Sequence, residues 1–507
     1  MSTAAPALKL GLTAELVDAA SYDHAVARFK EQRIALPTFA QLTRPPARPD
    51  LDGLDPDAAD ARNLWRVNWF NGADRKTRVA VPAHVVLPQS LTGIESPVIV
   101  VLGNKFPMIR AHKVLAAYAC LAPRIVTGQF DPTTQRAIWP STGNYARGGV
   151  AISRIMACRG TAVLPEGMSR ERFEWLAQWT EDPLDVVRTP GTESNVKEIY
   201  DACNALARDP QNVILNQFCE FANYLGHYTV TGDALATVFD HVARAHPSLR
   251  LAAFTSATGS AGTIGAGDKL KELYGAKIVA VEALECPTLL SNGFGEHNIQ
   301  GIGDKHVPLI HNVMNTDLVV AVSDRATDNL DVLFNTAAGH EHLREVMGVP
   351  GALIEQLTHF GFSSTCNILA AIKTAKALGL GPDDAIITVA TDGSEMYTSE
   401  REKYLARHYP QGFDARTAAG VAGRYLQSVD TDHLLDCTAN DRNRIFNLGY
   451  FTWVEQQGIS RVDFEARRTQ SFWTGIRSLV PAWDDRIIEF NHRTGMAGRR
   501  EHEGVSA

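Results

Sequence analysis

Lys113 opens the apolar run HKVLAAYACLA directly after the strand-like SPVIVVLG. A lysine so placed becomes a reactive amine once it is desolvated. Further along, STGNYARGGV (Ser141 to Val150) sets Ser, Thr, Gly and Asn just before a helical run, which makes a nest of donors at a helix start. The apolar run LRLAAFTSA then breaks into Gly259, Ser260, Ala261, Gly262 and Thr263 before a charged helical run. Strand, small-residue loop and helix start have the geometry of an anion site, where backbone N–H groups converge and the helix dipole adds partial positive charge. The same pieces read equally as a tight structural turn. The loop lacks the GK[ST] ending of a nucleotide-binding P-loop. Its GTIGAG runs in the wrong order for a dinucleotide fingerprint, although a nicotinamide-dependent dehydrogenase stays as a rival reading. HNIQGIGDKHVP (His297 to Pro308) supplies a second glycine turn. His297, His306 and His311 cluster around it without HExxH spacing, so they read as loop histidines at a lobe edge and not as metal ligands. His112 reads as a satisfied neighbour of Lys113.

These residues need a scaffold, and the alternation of apolar runs indicates which. SPVIVVLG, GTAVLP, NVILNQF, LRLAAFTSA, AKIVAVEA, DLVVAVSD and DAIITVATDG read as strands, separated by helical runs such as NVKEIYDACNALARD, GDALATVFDHVARAH and CNILAAIKTAKALG. Continuous Val/Ile/Ala/Leu strands between helices predict a parallel sheet covered on both faces, hence an α/β fold. Residues 1–95 read as an irregular N-terminal extension wrapping the large lobe. Residues 401–507 read as a C-terminal extension whose aromatics (FNLGYFTW, SFWTG, VPAW) suit a lid, a lobe-packing element or an oligomer interface.

Composition bounds the partners. The net charge of -8 excludes a broadly basic face, and with it nucleic acid and anionic membranes as expected partners. The seven cysteines are dispersed and none forms CxxC, which suits a reducing compartment. The opening residues carry no secretory pattern and no apolar run reaches spanning length, so the expected location is cytoplasmic.

The order of the pieces resembles the cysteine synthase / cystathionine β-synthase family, the fold type II enzymes that use pyridoxal 5′-phosphate (PLP). The matching segments are Lys113 at a helix opening, STGN (141–144), Gln217-Phe218 within NQFCEFANYLGHYTVTG, GSAGT (259–263), EHNIQGIGDKHVP, GFSSTCNILAAIKTA and TDGSEMYTSE (391–400). The resemblance spans roughly residues 97 to 400.

It implies a two-lobed, tryptophan synthase β-like fold, with a large PLP-binding lobe at 96–117 and 225–400 and a small mobile lobe at 118–224. Lys113 is then the PLP-bearing and catalytic amine, with Lys105 as runner-up. Gly259, Ser260, Ala261, Gly262 and Thr263 cradle the phosphate, with the Ala261 N–H offered at negative φ. Asn144 meets the cofactor's 3′-oxygen, while Ser141, Thr142, Gly143 and Gln217 hold the substrate carboxylate. The pyridine nitrogen faces either Ser394 or Asp392, and Tyr145 stands where threonine is more usual. The implied activity is β-replacement on an amino acid through an aminoacrylate. A β-eliminating lyase or dehydratase is the alternative, and a non-catalytic binding protein on the same scaffold a further one. The expected assembly is a homodimer.

Overall fold

The computed structural model describes residues 10–497. Eleven strands form two sheets: β1 (His84–Leu87), β2 (Val98–Leu102), β3 (Arg136–Pro140), β4 (Arg159–Pro165), β5 (Val186–Thr189), β6 (Asn212–Ile214), β7 (Arg250–Ala257), β8 (Lys277–Ala283), β9 (Leu318–Val322), β10 (Asp384–Ala390) and β11 (Leu434–Asp436). The larger sheet has the order β1-β2-β10-β7-β8-β9-β11 and the smaller β5-β4-β3-β6. Pairing is parallel throughout the smaller sheet and between β2 and β9, with β1 and β11 joined antiparallel at the edges.

The β2 sequence VIVVL explains its place. All five residues are buried, and successive side chains enter opposite layers. Ile99 and Val101 join one core cluster with Phe254, Ile278 and Val114. Val98, Val100 and Leu102 join the other with Val279, Val320 and Ile368. A strand apolar on both faces requires helices above and below. The Lys113–Val126 and Ile264–Tyr274 helices supply one layer, and Asp324–Phe334 and Phe362–Leu378 the other. Pairing of Ile387 with Ile99 and of Phe254 with Ile278 aligns the strands, so β2 and β7 end near each other, at the end of the sheet from which the Lys113 and Gly259 loops depart.

The terminal stretches differ from an irregular wrap. Residues 19–32 form a regular helix, Ala19–Gln32, capped by the Asp18 carboxylate, which accepts from the Ser21 N–H. It packs against the C-terminal Leu479–Thr494 helix through Phe490, whose ring meets Tyr22 and Phe29 at 5.6 and 5.2 Å. The Asp484 carboxylate accepts from the N–H groups of Phe39 (2.6 Å) and Ala40 (3.0 Å), while Asn491 pairs with both backbone groups of Leu36. The aromatic C-terminal stretch is thus a packing element within the chain. Trp483 is fully buried, lies 6.0 Å from Phe39 and donates to the Thr13 carbonyl at 2.8 Å. Trp483→Ala is expected to cost about 3–5 kcal/mol, read as a lowered thermal midpoint and as early proteolytic release of the N-terminal segment. Among the described residues no helix is long and apolar enough to cross a membrane.

Candidate active site

Beyond β2 the chain makes a short turn (Gly103–Lys105) and a loop, and the Lys113–Val126 helix starts at the lysine. Lys113 is half-buried, and its ammonium donates to Gln217 Oε1 (3.2 Å) and Ser260 Oγ (3.1 Å). Three segments far apart in sequence therefore meet at one nitrogen. Burial removes the hydration that an ammonium needs, and the Lys113 pKa falls to about 8. Asp304 and Glu193 oppose that fall only in part.

The loop after β7 carries the donors. Among the described residues, none of the N–H groups from Gly259 to Thr263 is committed to a hydrogen bond. Ser260 Oγ also accepts from Asn223 Nδ2 at 3.1 Å, and Thr263 Oγ1 lies 2.5 Å from Ser256 Oγ. A Cβ at Gly259 would fall 2.7 Å from the Gly301 carbonyl oxygen, and one at Gly262 would fall 2.4 Å from Asn223 Oδ1. Only glycine lets the two glycine turns approach so closely. Ala261 departs from expectation: its φ is +61°, not negative, because the loop closes through a left-handed residue. Relief of that conformation, at about 1 kcal/mol, leads us to expect that Ala261→Gly modestly raises the thermal midpoint while cofactor affinity is kept.

Ser141, Thr142, Asn144, Tyr145 and Gln217 line the same cavity as Lys113. The Ser141 hydroxyl accepts from the Gly143 N–H at 2.9 Å, and a Cβ on Gly143 would strike the Arg172 side chain. Tyr145 is anchored by its hydroxyl to the Leu215 carbonyl at 3.1 Å. Asn144 donates to Asp392 Oδ2 (2.7 Å) and accepts from Arg147 (3.0 Å). Asp392 also accepts from the Tyr397 hydroxyl at 2.9 Å, and Tyr397 accepts from Arg172, which in turn donates to Ser169 and Gln300. This network ties the elements around the smaller sheet to those around the larger one.

Neither candidate for the ring-nitrogen partner lines the cavity. Ser394 starts a 3-10 turn that aims its hydroxyl at Asn335 Oδ1 (2.8 Å), away from the cavity. Asp392 points at Asn144 and Tyr397 and does not line the cavity; Ser363 and Thr391 do. Lys105, the runner-up for the amine, is buried in the turn after β2 and lines neither part of the cavity.

The histidines also differ from their reading. His297, His306 and His311 are buried, bonded respectively to the Gly303 carbonyl, the Tyr200 hydroxyl and the Thr316 hydroxyl. His112 is not satisfied: neither ring nitrogen has a partner, and the ring sits between Trp69 and His227. Burial holds it neutral. Among the described residues no three His, Cys, Asp or Glu side chains are grouped to hold a metal ion.

Sequence reasoning missed two residues. Asp304 lines the cavity, its Oδ2 has no partner, and burial lifts its pKa to about 7. Glu193 is 1% exposed, its carboxylate has the Thr142 side chain and the Gly301 N–H near it, short of full hydrogen-bond geometry, and burial lifts its pKa to about 8. The signal for Asp304 was a carboxyl straight after the GIG turn; Glu193 in GTESN offered none.

The residues present fit PLP. The donor set of the 259–263 loop suits a dianionic phosphate, its glycines leave the room that side chains would fill, and an amine faces it. Residues 104–392 match the model of a family described as pyridoxal-phosphate dependent enzyme. Cysteine synthase B of Campylobacter jejuni is 32% identical over 259 residues, which cover 50% of this chain and 75% of that protein. The N-(2-amino-2-carboxyethyl)-L-glutamate synthase of Ralstonia nicotianae is 27% identical over 301 residues, 59% of this chain and 78% of that one. Among solved structures, a hydrogen sulfide-producing enzyme of Fusobacterium nucleatum aligns with a TM-score of 0.52 at 21% identity, over 66% of this chain and 98% of that chain. That last likeness concerns the fold, and it is the α/β fold that the motifs imply.

Proposed function

The chain belongs to the family of pyridoxal-phosphate dependent enzymes, and from that premise we propose that it replaces a substituent on the β-carbon of an amino acid, as cysteine synthases do. The observation that carries this reading is the meeting of Lys113, Gln217 and Ser260 at one nitrogen. When bound, PLP supplies an aldehyde that condenses with amines and a π-system that draws electrons from the substrate's α-carbon.

Each remaining task falls to a residue of this chain. The Gly259–Thr263 N–H groups and the Ser260 and Thr263 hydroxyls hold the phosphate. Lys113 anchors the aldehyde end. With its pKa near 8, a useful share of the amine is uncharged at neutral pH, so it accepts the substrate's α-proton and later returns it. Ser141, Thr142, Gly143 and Gln217 bind the substrate carboxylate. Gln217 accepts from Lys113 in this structure, so it can release that contact as substrate enters. Asn144 orients the ring, itself held by Asp392 and Arg147. Ser363 and Thr391, in place of Ser394 and Asp392, offer hydroxyls to the ring nitrogen. A neutral partner there leaves that nitrogen unprotonated, which suits departure from the β-carbon over transamination.

The membership of the two sheets supports a large lobe at 96–117 and 225–400 and a smaller one at 118–224. The Asn144–Asp392–Tyr397–Arg172 network crosses between them and excludes water from the reacting atoms when they close. A homodimer in the cytoplasm completes the proposal.

The test is spectral. Protein reconstituted with PLP is incubated in turn with O-acetylserine, serine, threonine and cysteine. A visible band that shifts with one of them, with release of its β-substituent, supports β-carbon chemistry. A protein that takes up no PLP, or shifts with none of the four, sinks it.

A further inference from the structure

Two buried carboxyl groups near Lys113 are short of hydrogen-bond partners. Asp304 is 6% exposed and lines the cavity, with Oδ2 unbonded. Glu193 lies behind Thr142 and Gly301, both of which line the cavity; these two groups favour its ionised form, yet neither of its oxygens reaches full hydrogen-bond geometry with them. Asp304 acts on Glu193 by charge, and both act on Lys113.

Cations stand close by but are engaged elsewhere. Lys113 donates to Gln217 and Ser260. Arg172 lies near enough to favour the ionised form of Glu193, yet its guanidinium donates to Ser169, Gln300 and Tyr397. A buried carboxylate left unpaired costs several kcal/mol, and folded proteins rarely carry one, let alone two. Amide side chains of the same shape would remove that cost at both positions. The pair makes physical sense when its counter-charge arrives from outside.

We propose that Glu193 and Asp304 form a carboxyl subsite that receives the ammonium group of an amine-bearing second substrate next to Lys113. The inference rests on the β-replacement reading and narrows it: the incoming atom is nitrogen, carried in as a cation. A hydrosulfide anion would gain no charge partner from the same two groups. The step balances as follows. The ammonium yields one proton to a carboxylate of the pair, and the freed nitrogen lone pair forms the C–N bond at the β-carbon, whose former substituent has already left with its own electron pair. As the C–N bond forms, the Cα–Cβ π bond breaks and its electron pair returns to the α-carbon, which takes up the proton that Lys113 carried.

In the test, holoenzyme receives O-acetylserine with equimolar sulfide and 1,3-diaminopropane, and both adducts are quantified by mass spectrometry. The expected result is an excess of the amine adduct. The amine-to-sulfide ratio should fall at least about ten-fold in Glu193→Gln and again in Asp304→Asn, since each isosteric change removes one carboxyl able to ionise against the ammonium. A wild-type protein that makes only the sulfide adduct, or a ratio unmoved in both variants, overturns the subsite. If neither adduct forms and no acetate is released, the β-replacement reading has failed, and a binding measurement decides the subsite alone. Trimethylammonium carries an ammonium proton but cannot condense with an aldehyde. Saturable calorimetric binding to the holoenzyme that weakens about ten-fold in Glu193→Gln keeps the subsite, and no saturable binding removes it.

Discussion

Lys113→Ala is expected to lower turnover by at least about a thousand-fold, the scale on which removal of a proton-transferring group acts, and to abolish the visible band of the reconstituted protein. Borohydride reduction of the wild-type holoenzyme followed by peptide mapping should place the label on residue 113. A label on Lys105 or on any other lysine would end the assignment. The same amine carries a second expected effect that needs no cofactor. Its pKa of about 8 in the folded chain lies below the ordinary 10.5, so between those values the folded state binds fewer protons than the unfolded one. Stability therefore rises with pH through that window, and below it the desolvated ammonium costs its full amount. At about 1.4 kcal/mol per pKa unit, Lys113→Met should stabilise the cofactor-free protein at neutral pH by on the order of 3 kcal/mol. That advantage should vanish as the pH approaches 10.5. Thermal midpoints of the two proteins across pH 7–10 check it: curves that stay parallel would show that Lys113 is not desolvated. A lysine kept at a site where it destabilises the fold is what function, not packing, requires.

The readable parts of this chain were those where one local demand decides the residue type. Strands buried on both faces are apolar nearly throughout, and VIVVL, LVVAV and the IVAV core of KIVAVEA stand out for that reason. β5 and β11 did not, because β5 is only half-buried apart from Thr189, and β11 is three residues long and paired antiparallel at an edge. Helix and strand share no period over such short segments, so nothing local separates them from loop. The glycines of the 259–263 loop were legible because close backbone approach admits no substitute, whereas the left-handed φ of Ala261 was invisible, since residue type there opposes the conformation. Ser394 and Ser363 show the limit at the site itself. Both are serines near a glycine turn, and only the onset of a 3-10 turn at one and of a long helix at the other decides which hydroxyl meets the cavity. Asp304 and Glu193 were hidden for a different reason: carboxyl residues lie mostly on surfaces, and their burial arises from segments distant in sequence.

Gly259→Ala is expected to weaken PLP binding by about a hundred-fold or more, a loss of about 3 kcal/mol. The new Cβ would sit 2.7 Å from the Gly301 oxygen and 3.5 Å from the Ile302 Cα. Both are backbone atoms. Gly301 itself holds φ at +105°, and the Gly303 N–H is tied to the Thr258 carbonyl at 2.9 Å. The opposing turn is therefore fixed to the loop it would have to leave, and relief must come from moving the donors that face the phosphate. Gly262→Ala makes a useful contrast, because its nearest obstacle is the side-chain oxygen of Asn223 at 2.4 Å, which has no partner to lose. Asn223 can swing aside at the cost of its donations to the Gln217 carbonyl and Ser260 Oγ, so a smaller loss of affinity, about ten-fold, is expected there. Gly275→Ala serves as the control: φ is +72° but nothing lies within 4 Å, so it should lower thermal stability by about 1 kcal/mol and leave cofactor affinity alone. Absorbance titration of the three variants with PLP ranks them. An order in which Gly259→Ala binds as tightly as Gly275→Ala would mean that the loop after β7 does not hold the phosphate, and the cofactor site would have to be sought elsewhere along the cavity.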